Sequence, residues 1–366
     1  MASRSEIPPS RLREIFSRFF PDAETFHADQ YFGGHINRTF FVDAAAPGAA
    51  SCRFVLQCIN KHVFTNYMGV MENVLRISEH LCRKSRENPG PDEGRDYLHF
   101  LRTTDGAPGV DAGEEGFWRL YRCIEHAEGR LRAESPAEAR EAARAFGLFQ
   151  RLIADLPGPR LVETIPHFHD TRRRFEALDR AFAEDRCGRA ASCRADYAAF
   201  QDVRDAALRL QTSFEAGLIP ERIAHNDAKF SNLLLDDETG RAVCVIDLDT
   251  CMPGLSLHDF GDLMRSMCSD RPEDEPDTSL IVARRDMYDA LVDGFLSETG
   301  GTLVPEERRL LPDSGVTITA EVGVRFLTDY LEGDHYFHVE RPDHNLVRAR
   351  SQLALVRSML RSLPFA

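Results

Sequence analysis

The stretch that decides the fold is HNDAKFSN at residues 225–232, which has the form HxDxxxxN and is followed by a second aspartate, Asp247, at the end of an apolar run. Phosphoryl transfer through a loose transition state needs a carboxylate that orients the attacking hydroxyl and oxygen ligands that hold Mg²⁺. Asp227 can provide the first, and Asn232 and Asp247 can provide the second. The spacing therefore predicts Asp227 as a catalytic base and Asn232 and Asp247 as metal ligands.

The spacing from Asp227 to Asn232 is that of the catalytic loop HRDxxxxN of protein kinases. Asp247 interrupts the apolar run VCVIDL, and a carboxylate among buried neighbours needs a cation or hydrogen-bond donors close by. We expect Asp249 to hold or orient a second metal ion. Lys229 is expected either to approach the γ-phosphate or to neutralise the catalytic loop. The alternative interpretation makes Asp227 a turn cap and the two later aspartates surface carboxylates.

The tripeptide at residues 259–261 spells DFG, another motif of protein kinases, but it stands further along the chain than the hairpin that follows the catalytic loop. In the predicted arrangement only Asp247 lies at the end of a hairpin strand. We therefore expect Asp259 to cap the following helix or to brace the catalytic loop, rather than to bind a metal.

Apolar periodicity divides the chain into a β-rich first part and a mostly helical second part. The first part begins with a helical stripe that includes Leu12 and Phe16 and continues with strand-like runs and one packed helix. The strand-like runs are 38–43, 52–59, 97–103 and 116–124, and the helical face lies between residues 71 and 82. This order predicts a small antiparallel sheet that carries a packed helix, in an N-terminal nucleotide-binding lobe of residues 1–122.

The second part opens with the capping box SPAE at residues 135–138, which starts a helix that extends to Ile153. The runs 232–235 and 243–248 flank a turn sequence and are predicted to form a hairpin. Helical periodicity also covers 197–215, 286–296, 321–331 and 346–363. Together these patterns predict an α/β (α+β) chain with a two-lobed protein-kinase-like fold, in which a hinge at 123–128 precedes a helical C-terminal lobe at 129–366.

The segment Phe32–Thr39 joins two predicted strands and contains Gly33 and Gly34, which let backbone N–H groups approach a phosphate. We expect both glycines and Asn37 to bind the nucleotide, although any hairpin can carry two glycines and the segment is not GxGxxG. The next strand has Gln57 where kinases carry a phosphate-pairing lysine. The candidates to replace that lysine are Arg38, Arg53 and Lys61. The sequence does not select one of them.

The residues after the last predicted strand of the first part form an extended crossover. Such a segment offers backbone donors and acceptors to an adenine edge, so we expect Cys123, Ile124 and Glu125 to contact the base; the alternative is an ordinary linker. Trp118 is expected to lie in the core. The segment HFHD at residues 167–170 is expected to be an ordered loop, because a zinc site needs three or four converging ligands.

Composition excludes several classes of protein. The 366 residues carry 45 Lys and Arg against 59 Asp and Glu, a formal charge of −14, which disfavours binding to nucleic acid or to an acidic membrane surface. No apolar run approaches the length of a membrane span. The nine cysteines show no CxxC pattern, and the N-terminus lacks the apolar segment of a secretory signal. We expect a cytoplasmic protein without disulfides, as a monomer or a weak dimer.

Seven segments, spread in order along nearly the whole chain, resemble those of the N-acetylhexosamine 1-kinases, a branch of the aminoglycoside phosphotransferase/choline kinase superfamily. These segments are GGHINRTF, VETIPHFHDTRRRFE, HNDAKFSNLLLD, VIDLDTCMPG, DFGD, RFLTDYLEGDHYF and RPDHNLVR. The resemblance implies a kinase-like fold and phosphorylation of the anomeric hydroxyl of GlcNAc or GalNAc, with ATP as donor and Mg²⁺ as cofactor.

The resemblance also assigns residues. It makes Asp227 the catalytic base and Asn232 and Asp247 the metal ligands. The sugar would be surrounded by Asp227 together with His35, Arg325 and Tyr336. A departure follows Arg265, where the family tends to have an aromatic residue and this chain has Ser266, which leaves the preferred epimer open.

Three other functions remain compatible with the sequence. The first is phosphorylation of another acceptor, such as an aminoglycoside, choline or a different sugar, by a kinase of the same fold. The second is an inactive nucleotide-binding regulatory protein, which the intact aspartates and asparagine of the motif disfavour. The third is a metal phosphohydrolase built on the acidic segment 247–262, which Pro253 and Gly254 disfavour because they break the spacing of its carboxylates.

Overall fold

The N-terminal region of the computed structural model combines an antiparallel sheet with packed helices; the structure describes residues 7–32, 37–87 and 96–365. Its elements are α1 Pro9–Ser17, β1 Thr25–Tyr31, β2 Arg38–Ala45, β3 Cys52–Ile59, α2 Tyr67–Glu87, β4 Phe100–Leu101, β5 Val110–Asp111 and β6 Phe117–Arg122. The strand order is β1-β2-β3-β6-β4, with β5 also paired to β6. The strands of this sheet pair antiparallel throughout.

The two faces of this sheet have different partners, because successive side chains of a strand point to opposite sides. Phe54, Leu56 and Trp118 pack with α1, and Trp118 is fully buried, as predicted. Gln57 and Arg119 alternate with these residues and lie directly opposite each other in the register of β3 and β6. They therefore share the face that packs α2 and is directed toward the rest of the chain.

The second region is mainly helical. Its elements are β7 Ala127–Gly129, α3 Pro136–Ile153, α4 Thr171–Glu184, α5 Arg194–Ala207, α6 Arg209–Glu215, β8 Arg222–Ala224, β9 Leu233–Asp236, β10 Ala242–Val245, β11 Met252–Gly254, α7 Ser256–Met267, α8 Arg285–Thr299, α9 Pro305–Arg309, α10 Leu311–Glu332 and α11 His344–Ser362. Helix α3 packs against α8, and α10 is surrounded by α4, α5, α7 and α11. Among the described residues, no helix combines the length and the apolar character that crossing a membrane requires.

Residues 123–126 connect the two regions. Strand β6 ends at Arg122, and β7 belongs to a different sheet, of order β10-β9-β7. In that sheet β9 and β10 form the hairpin that follows the catalytic motif. The chain therefore passes from the first region to the second at the segment where the sequence predicts a hinge.

The fold class predicted from the sequence is confirmed. The N-terminal region is an antiparallel sheet, the C-terminal region is helical, and the whole is kinase-like. The predicted start of α3 is also correct, since the Ser135 hydroxyl accepts a hydrogen bond from the Glu138 N–H and Pro136 occupies the first turn. The nine cysteines are all free.

Several predicted element boundaries are wrong. The helix predicted at 197–215 is two helices, α5 and α6, which meet at Leu208. The helix predicted at 321–331 is the second half of α10, which begins much earlier, with Pro312 in its first turn. Helix α4 is not among the predicted helices, although Asp170 caps it by accepting a hydrogen bond from the Arg173 N–H. The hairpin strand predicted at 243–248 ends at Val245.

Candidate active site

Asp227 lies in the loop between β8 and β9 and is held by side chains of its own motif. Its carboxylate accepts hydrogen bonds from Lys229 Nζ at 2.8 and 3.1 Å and from Asn232 Nδ2 at 2.8 Å. The same Asn232 nitrogen donates to the Asp227 carbonyl at 2.8 Å. These contacts bring together the predicted base and one predicted metal ligand. Because the amide nitrogen is used by Asp227, the atom of Asn232 that suits a metal is Oδ1.

Asp227 is ionised at neutral pH. Burial alone would raise its pKa, but the charge and hydrogen bonds of Lys229, with contributions from His225 and Asn232, hold the pKa below its usual value. Burial would likewise lower the pKa of Lys229, and Asp227 more than offsets that effect, so the pKa of Lys229 is raised. The predicted base is therefore a carboxylate paired with an ammonium group.

Asp247 lies beyond the end of β10, close to two other aspartates. Its backbone has φ 63°, a left-handed conformation that turns the chain away from the hairpin. Desolvation by the surrounding protein, followed by the charges of Asp249 and Asp227, raises the pKa of Asp247 to about 6, although Lys229 opposes this. Asp247 itself is exposed, and a carboxylate that lies close to like charges is stabilised by a nearby cation.

Asp247 and Asn232 carry carboxylate and amide oxygens, which are donors of the kind that Mg²⁺ prefers. In the described part of the chain, no three His, Cys, Asp or Glu side chains are arranged to hold a metal. Mg²⁺ is commonly bound by one or two protein oxygens, with substrate phosphates and waters as its other ligands. The donor set is thus suitable for Mg²⁺ carried by phosphates.

Asp249 is engaged with the N-terminal sheet. Its Oδ1 atom accepts a hydrogen bond from Arg119 Nη1 at 2.5 Å, and its Oδ2 atom accepts one from Asn37 Nδ2 at 2.8 Å. Asn37, a predicted nucleotide contact, accepts a hydrogen bond from the Asn60 N–H at 3.0 Å. Each oxygen of Asp249 thus has one hydrogen-bond donor, and its predicted role at a second metal ion stays a prediction.

Asp259 braces the catalytic loop from α7. Its carboxylate accepts hydrogen bonds from the backbone N–H groups of His225 at 2.9 Å and Asn226 at 2.7 Å, and from Gln150 Nε2 at 2.6 Å. The residue is fully buried, so these donors replace its contact with water. The prediction that Asp259 is a structural brace is confirmed.

His169 connects the catalytic loop to α10. Its Nε2 atom lies 3.1 Å from the Asn226 carbonyl oxygen, and its Nδ1 atom lies 2.9 Å from Glu321 Oε1. Because both partners are acceptors, both ring nitrogens carry hydrogens and His169 is an imidazolium. Burial would lower the pKa of His169, but the charge of Glu321 outweighs it and the pKa is raised. The sequence predicted only an ordered loop here and did not indicate that His169 links the catalytic loop to α10.

Arg325 and Tyr336, two predicted substrate residues, lie together. Arg325 Nη2 donates a hydrogen bond to the Tyr336 hydroxyl at 3.3 Å. The guanidinium also lies over three aromatic rings, those of Phe168, Tyr336 and Phe337. Tyr336 remains 65% exposed, so this cluster opens to solvent.

The Arg325 cluster is linked to the catalytic loop through Glu321. Burial would raise the pKa of Glu321, but His169, followed by Arg325 and Arg174, holds it at about 2. The same carboxylate therefore interacts with the histidine that contacts the catalytic loop and with the arginines of the cluster. Arg325, which is predicted to contact the sugar, therefore lies next to the His169–Glu321 pair that supports the loop of the predicted base.

Arg265 and Asp262 form a charged pair on α7, near the catalytic loop. The sequence predicted no catalytic or binding role for either residue. Arg265 Nε donates to Asp262 Oδ1 at 2.6 Å, and its Nη1 donates to Glu273 Oε1 at 2.9 Å. Burial would lower the pKa of Arg265, but these two carboxylates and the more distant Asp227 raise it. Arg265 is thus within electrostatic reach of the predicted base. A charged i, i+3 pair on a buried helix is the signal that could have found it.

Other predicted contacts have different outcomes. Gly33, Gly34 and His35 lie outside the described residues. The Cys123 N–H donates to the Arg53 carbonyl at 3.0 Å, so the sheet uses this amide. Ile124 and Glu125 follow β6 in the crossover, as the hinge prediction requires.

The three basic residues that were candidates to replace the missing lysine pair with groups other than Asp227, Asp247 and Asp249. Their partners are Asp43 for Arg53, Asp111 for Lys61 and the Glu115 carbonyl for Arg38. The cation of the N-terminal sheet that contacts Asp249 is Arg119, which was not among the predicted candidates.

Comparisons with known proteins identify one family and several similar structures. A family model described as "Phosphotransferase enzyme family" matches residues 30–291. A microcompartment-associated aminopropanol kinase is 17% identical over 96% of this chain and 98% of its own, with a TM-score of 0.62. An aminoglycoside phosphotransferase from Alicyclobacillus acidocaldarius is 14% identical over 98% of this chain and 98% of its own, with a TM-score of 0.60. A choline kinase from Cryptosporidium parvum is 13% identical over 97% of this chain and 96% of its own, with a TM-score of 0.57. At these identities the structures share a fold with this chain.

We expect His169→Gln to lower the free energy of unfolding by about 2 kcal/mol at pH 6, because the buried Glu321 carboxylate loses its charged hydrogen-bond partner and keeps only the Thr171 hydroxyl and the more distant arginines. A histidine with a raised folded-state pKa stabilises the fold fully below its unfolded pKa of about 6.5, and this contribution is lost as the pH rises through the folded-state value. The difference between the two proteins in urea unfolding should therefore shrink toward pH 9.

The matched control is His258→Gln. Burial and the neighbouring His169 lower the pKa of His258 to about 3, so it is neutral in the folded protein from pH 7 to 9. Its effect on the free energy of unfolding should be nearly constant over that range. A difference for His169→Gln that is equally flat would show that His169 is not an imidazolium.

Proposed function

Because this chain belongs to the phosphotransferase enzyme family, we propose that it is an ATP- and Mg²⁺-dependent kinase that phosphorylates the anomeric C1 hydroxyl of an N-acetylhexosamine, GlcNAc or GalNAc. The products would be the sugar 1-phosphate and ADP. The observation that carries the proposal is the Asn232 hydrogen bond to the Asp227 carboxylate, next to Asp247. The motif resemblance and the pair of Arg325 and Tyr336 support the acceptor.

Asp227 performs the proton chemistry in this proposal. Its lowered pKa keeps it ionised, so it can accept a hydrogen bond from the C1 hydroxyl and orient that oxygen toward the γ-phosphorus. In a loose transition state the proton leaves late, and Asp227 receives it as the new O–P bond forms. Lys229, which pairs with Asp227, either turns to the γ-phosphate or continues to neutralise the loop.

Asn232 and Asp247 are the residues that would hold Mg²⁺. The ion, when bound, neutralises charge on the β- and γ-phosphate oxygens. Asp247 must be deprotonated to bind it, and its pKa of about 6 allows this at neutral pH. Asn232 Oδ1 is directed by the hydrogen bonds of its own amide nitrogen to Asp227.

The adenine is proposed to lie against the crossover after β6. Since the Cys123 amide is used by the sheet, the backbone groups of Ile124 and Glu125 would supply the base contacts. Gly33 and Gly34 keep their proposed role at the phosphates. Asn37, at the other end of the same segment, would act through its contact with Asp249.

A neutral sugar suits the residues around Arg325 better than a cationic acceptor does. Burial and the neighbouring Arg325 lower the pKa of Arg174, which shows that two positive groups lie close together. They would repel a polycationic aminoglycoside. Choline needs open aromatic faces, whereas Arg325 already covers the rings of Phe168 and Tyr336. His35 is the further proposed sugar contact.

We also propose that the protein acts in the cytoplasm. Its nine cysteines are free, including the exposed Cys52 and Cys187, and free thiols persist in a reducing compartment. The proposed donor, ATP, is available in the same compartment.

Asp227→Asn should lower kcat by roughly 10²- to 10⁴-fold, because the amide can hold the acceptor hydroxyl but cannot take its proton. Affinity for Mg·ATP should change little. Steady-state kinetics with GlcNAc and a calorimetric titration of Mg·ATP measure both quantities. The control is Asp237→Asn, an exposed aspartate in the β9–β10 turn, which should behave as the original protein. Unchanged kcat in Asp227→Asn would contradict the assigned role.

Asp247→Asn should raise the Mg²⁺ concentration for half-maximal activity by at least about tenfold, since even groups that only support a metal ligand are worth that much. The effect should be visible in Mg²⁺ titrations at fixed ATP, with Asp237→Asn again as control. A half-maximal concentration equal to that of the original protein would remove Asp247 from the metal site.

An ATP-consumption assay across GlcNAc, GalNAc, glucose, galactose, choline and kanamycin tests the acceptor. We expect turnover with the N-acetylhexosamines, and phosphorus NMR of the product should place the phosphate on C1. Turnover of kanamycin or choline without turnover of either N-acetyl sugar would overturn the acceptor while leaving the kinase assignment in place.

A further inference from the structure

Arg119 is a buried cation on the side of the N-terminal sheet that faces Asp249. We call the space between this sheet and the aspartates 227, 247 and 249 the cleft. Arg119 is 3% exposed and its partner Asp249 is 1% exposed. Arg119 Nε donates to Gln57 Oε1 at 2.9 Å, Nη1 donates to Asp249 Oδ1 at 2.5 Å, and Gln57 Nε2 donates to Thr39 Oγ1 at 3.0 Å. Positions 57 and 119 are cross-strand neighbours, so their side chains reach the same space.

Packing alone does not explain this buried ion pair. Taking two charges out of water is expensive, and apolar residues of similar size often serve as well or better for stability. The strand FWRLYR is otherwise suited to an apolar core, since Phe117, Trp118 and Leu120 are buried. An arginine at the centre of such a strand points to a role for its charge.

The guanidinium of Arg119 is directed at the carboxylates of the cleft. Burial would lower its pKa, but Asp249 and, further away, Asp247 raise it. Arg119 Nη1 also lies 3.9 Å from Met71 Sδ. A thioether is a weak acceptor, so this N–H makes no strong hydrogen bond within the protein.

Protein kinases carry a lysine for the nucleotide phosphates on the strand that corresponds to β3. Here that position is Gln57, and Gln57 accepts a hydrogen bond from the arginine on the neighbouring strand. The guanidinium therefore occupies the region of the cleft that such a lysine would reach.

We propose that Arg119 binds the phosphates of the nucleotide in place of the missing lysine, and that Gln57 and Asp249 are its positioning residues. The inference rests on the proposed function, which supplies the nucleotide. One Nη1 hydrogen stays on Asp249 and the other is donated to a phosphate oxygen. Through Asp249 this contact reaches both Asn37, next to the glycine segment, and the chain around Asp247.

Removing both charges together separates a phosphate-binding cation from an ordinary structural ion pair. In Arg119→Met/Asp249→Leu, apolar side chains of similar size replace the pair, so no charge is left unpaired and the fold should be kept. The melting temperature should fall by several degrees, because Asn37 Nδ2 loses its acceptor. Affinity for Mg·ATP, measured by calorimetry without any acceptor, should fall about 10- to 100-fold. Affinity for ATP in EDTA should fall as well, which the loss of a metal ligand would not cause.

The matched control is Arg53→Met/Asp43→Leu, an ion pair on the same sheet whose partners are both partly exposed. It should bind ATP as the original protein does. If the Arg119/Asp249 variant bound ATP as tightly as the original protein does, the inference would be overturned. If its affinity for ATP fell only in the presence of Mg²⁺, the inference would be overturned in favour of a metal role for Asp249. An original protein that binds no Mg·ATP would instead defeat the proposed function together with the inference.

A second variant decides the matter if the first does not fold. Arg119→Met/Gln57→Lys keeps Asp249 and moves the positive charge one strand across, to the position where kinases carry it. We expect it to recover Mg·ATP affinity to within about threefold of the original protein, whereas Arg119→Met alone stays weak. A folded relocation variant as weak as Arg119→Met would contradict a role that depends on charge at this place in the cleft.

Discussion

The candidate site depends on how the charges of three neighbouring carboxylates, Asp227, Asp247 and Asp249, are compensated. Asp227 is paired with Lys229, and Asp249 is paired with Arg119. Asp247 keeps a raised pKa because desolvation and the other two aspartates outweigh the lysine. Like charges this close need compensation, and each cation comes from a different place: the lysine from the catalytic loop, the arginine from the N-terminal sheet, and the third, in our proposal, from the Mg²⁺ that accompanies the nucleotide.

The structure holds the backbone of one residue in the catalytic loop at both its N–H and its carbonyl. Asn226, which precedes the proposed base, has φ 62°, an unfavourable conformation for a residue other than glycine. Its N–H donates to Asp259 at 2.7 Å, and its carbonyl accepts from the His169 imidazolium. Two buried charged groups thus stabilise a strained turn. We interpret the DFG tripeptide and the HFHD segment as the sources of this support.

Helix α10 organises the acceptor side because residues four apart lie on one helical face. Glu321 pairs with His169 and so supports the catalytic loop. One turn further on, Arg325 makes the aromatic cluster, and after another turn Asp329 accepts hydrogen bonds from the backbone N–H groups of His335, Tyr336 and Phe337. A single buried helix therefore aligns the support of the proposed base with the residues proposed to bind the sugar.

The sequence by itself determined the fold class, the order of most elements and the grouping of Asp227 with Asn232, because these follow from spacing and periodicity within short stretches of chain. It also separated the proposed metal ligand Asp247 from the structural Asp259, since only Asp247 directly follows the β9–β10 hairpin. The tertiary structure decided what depends on packing between distant segments, namely the pairing of His169 with Glu321 and of Arg119 with Asp249. Arg119 interrupts an apolar strand, so its burial was foreseeable. Its partner was not, because strand register and the approach of the two regions are set by contacts that no local pattern encodes.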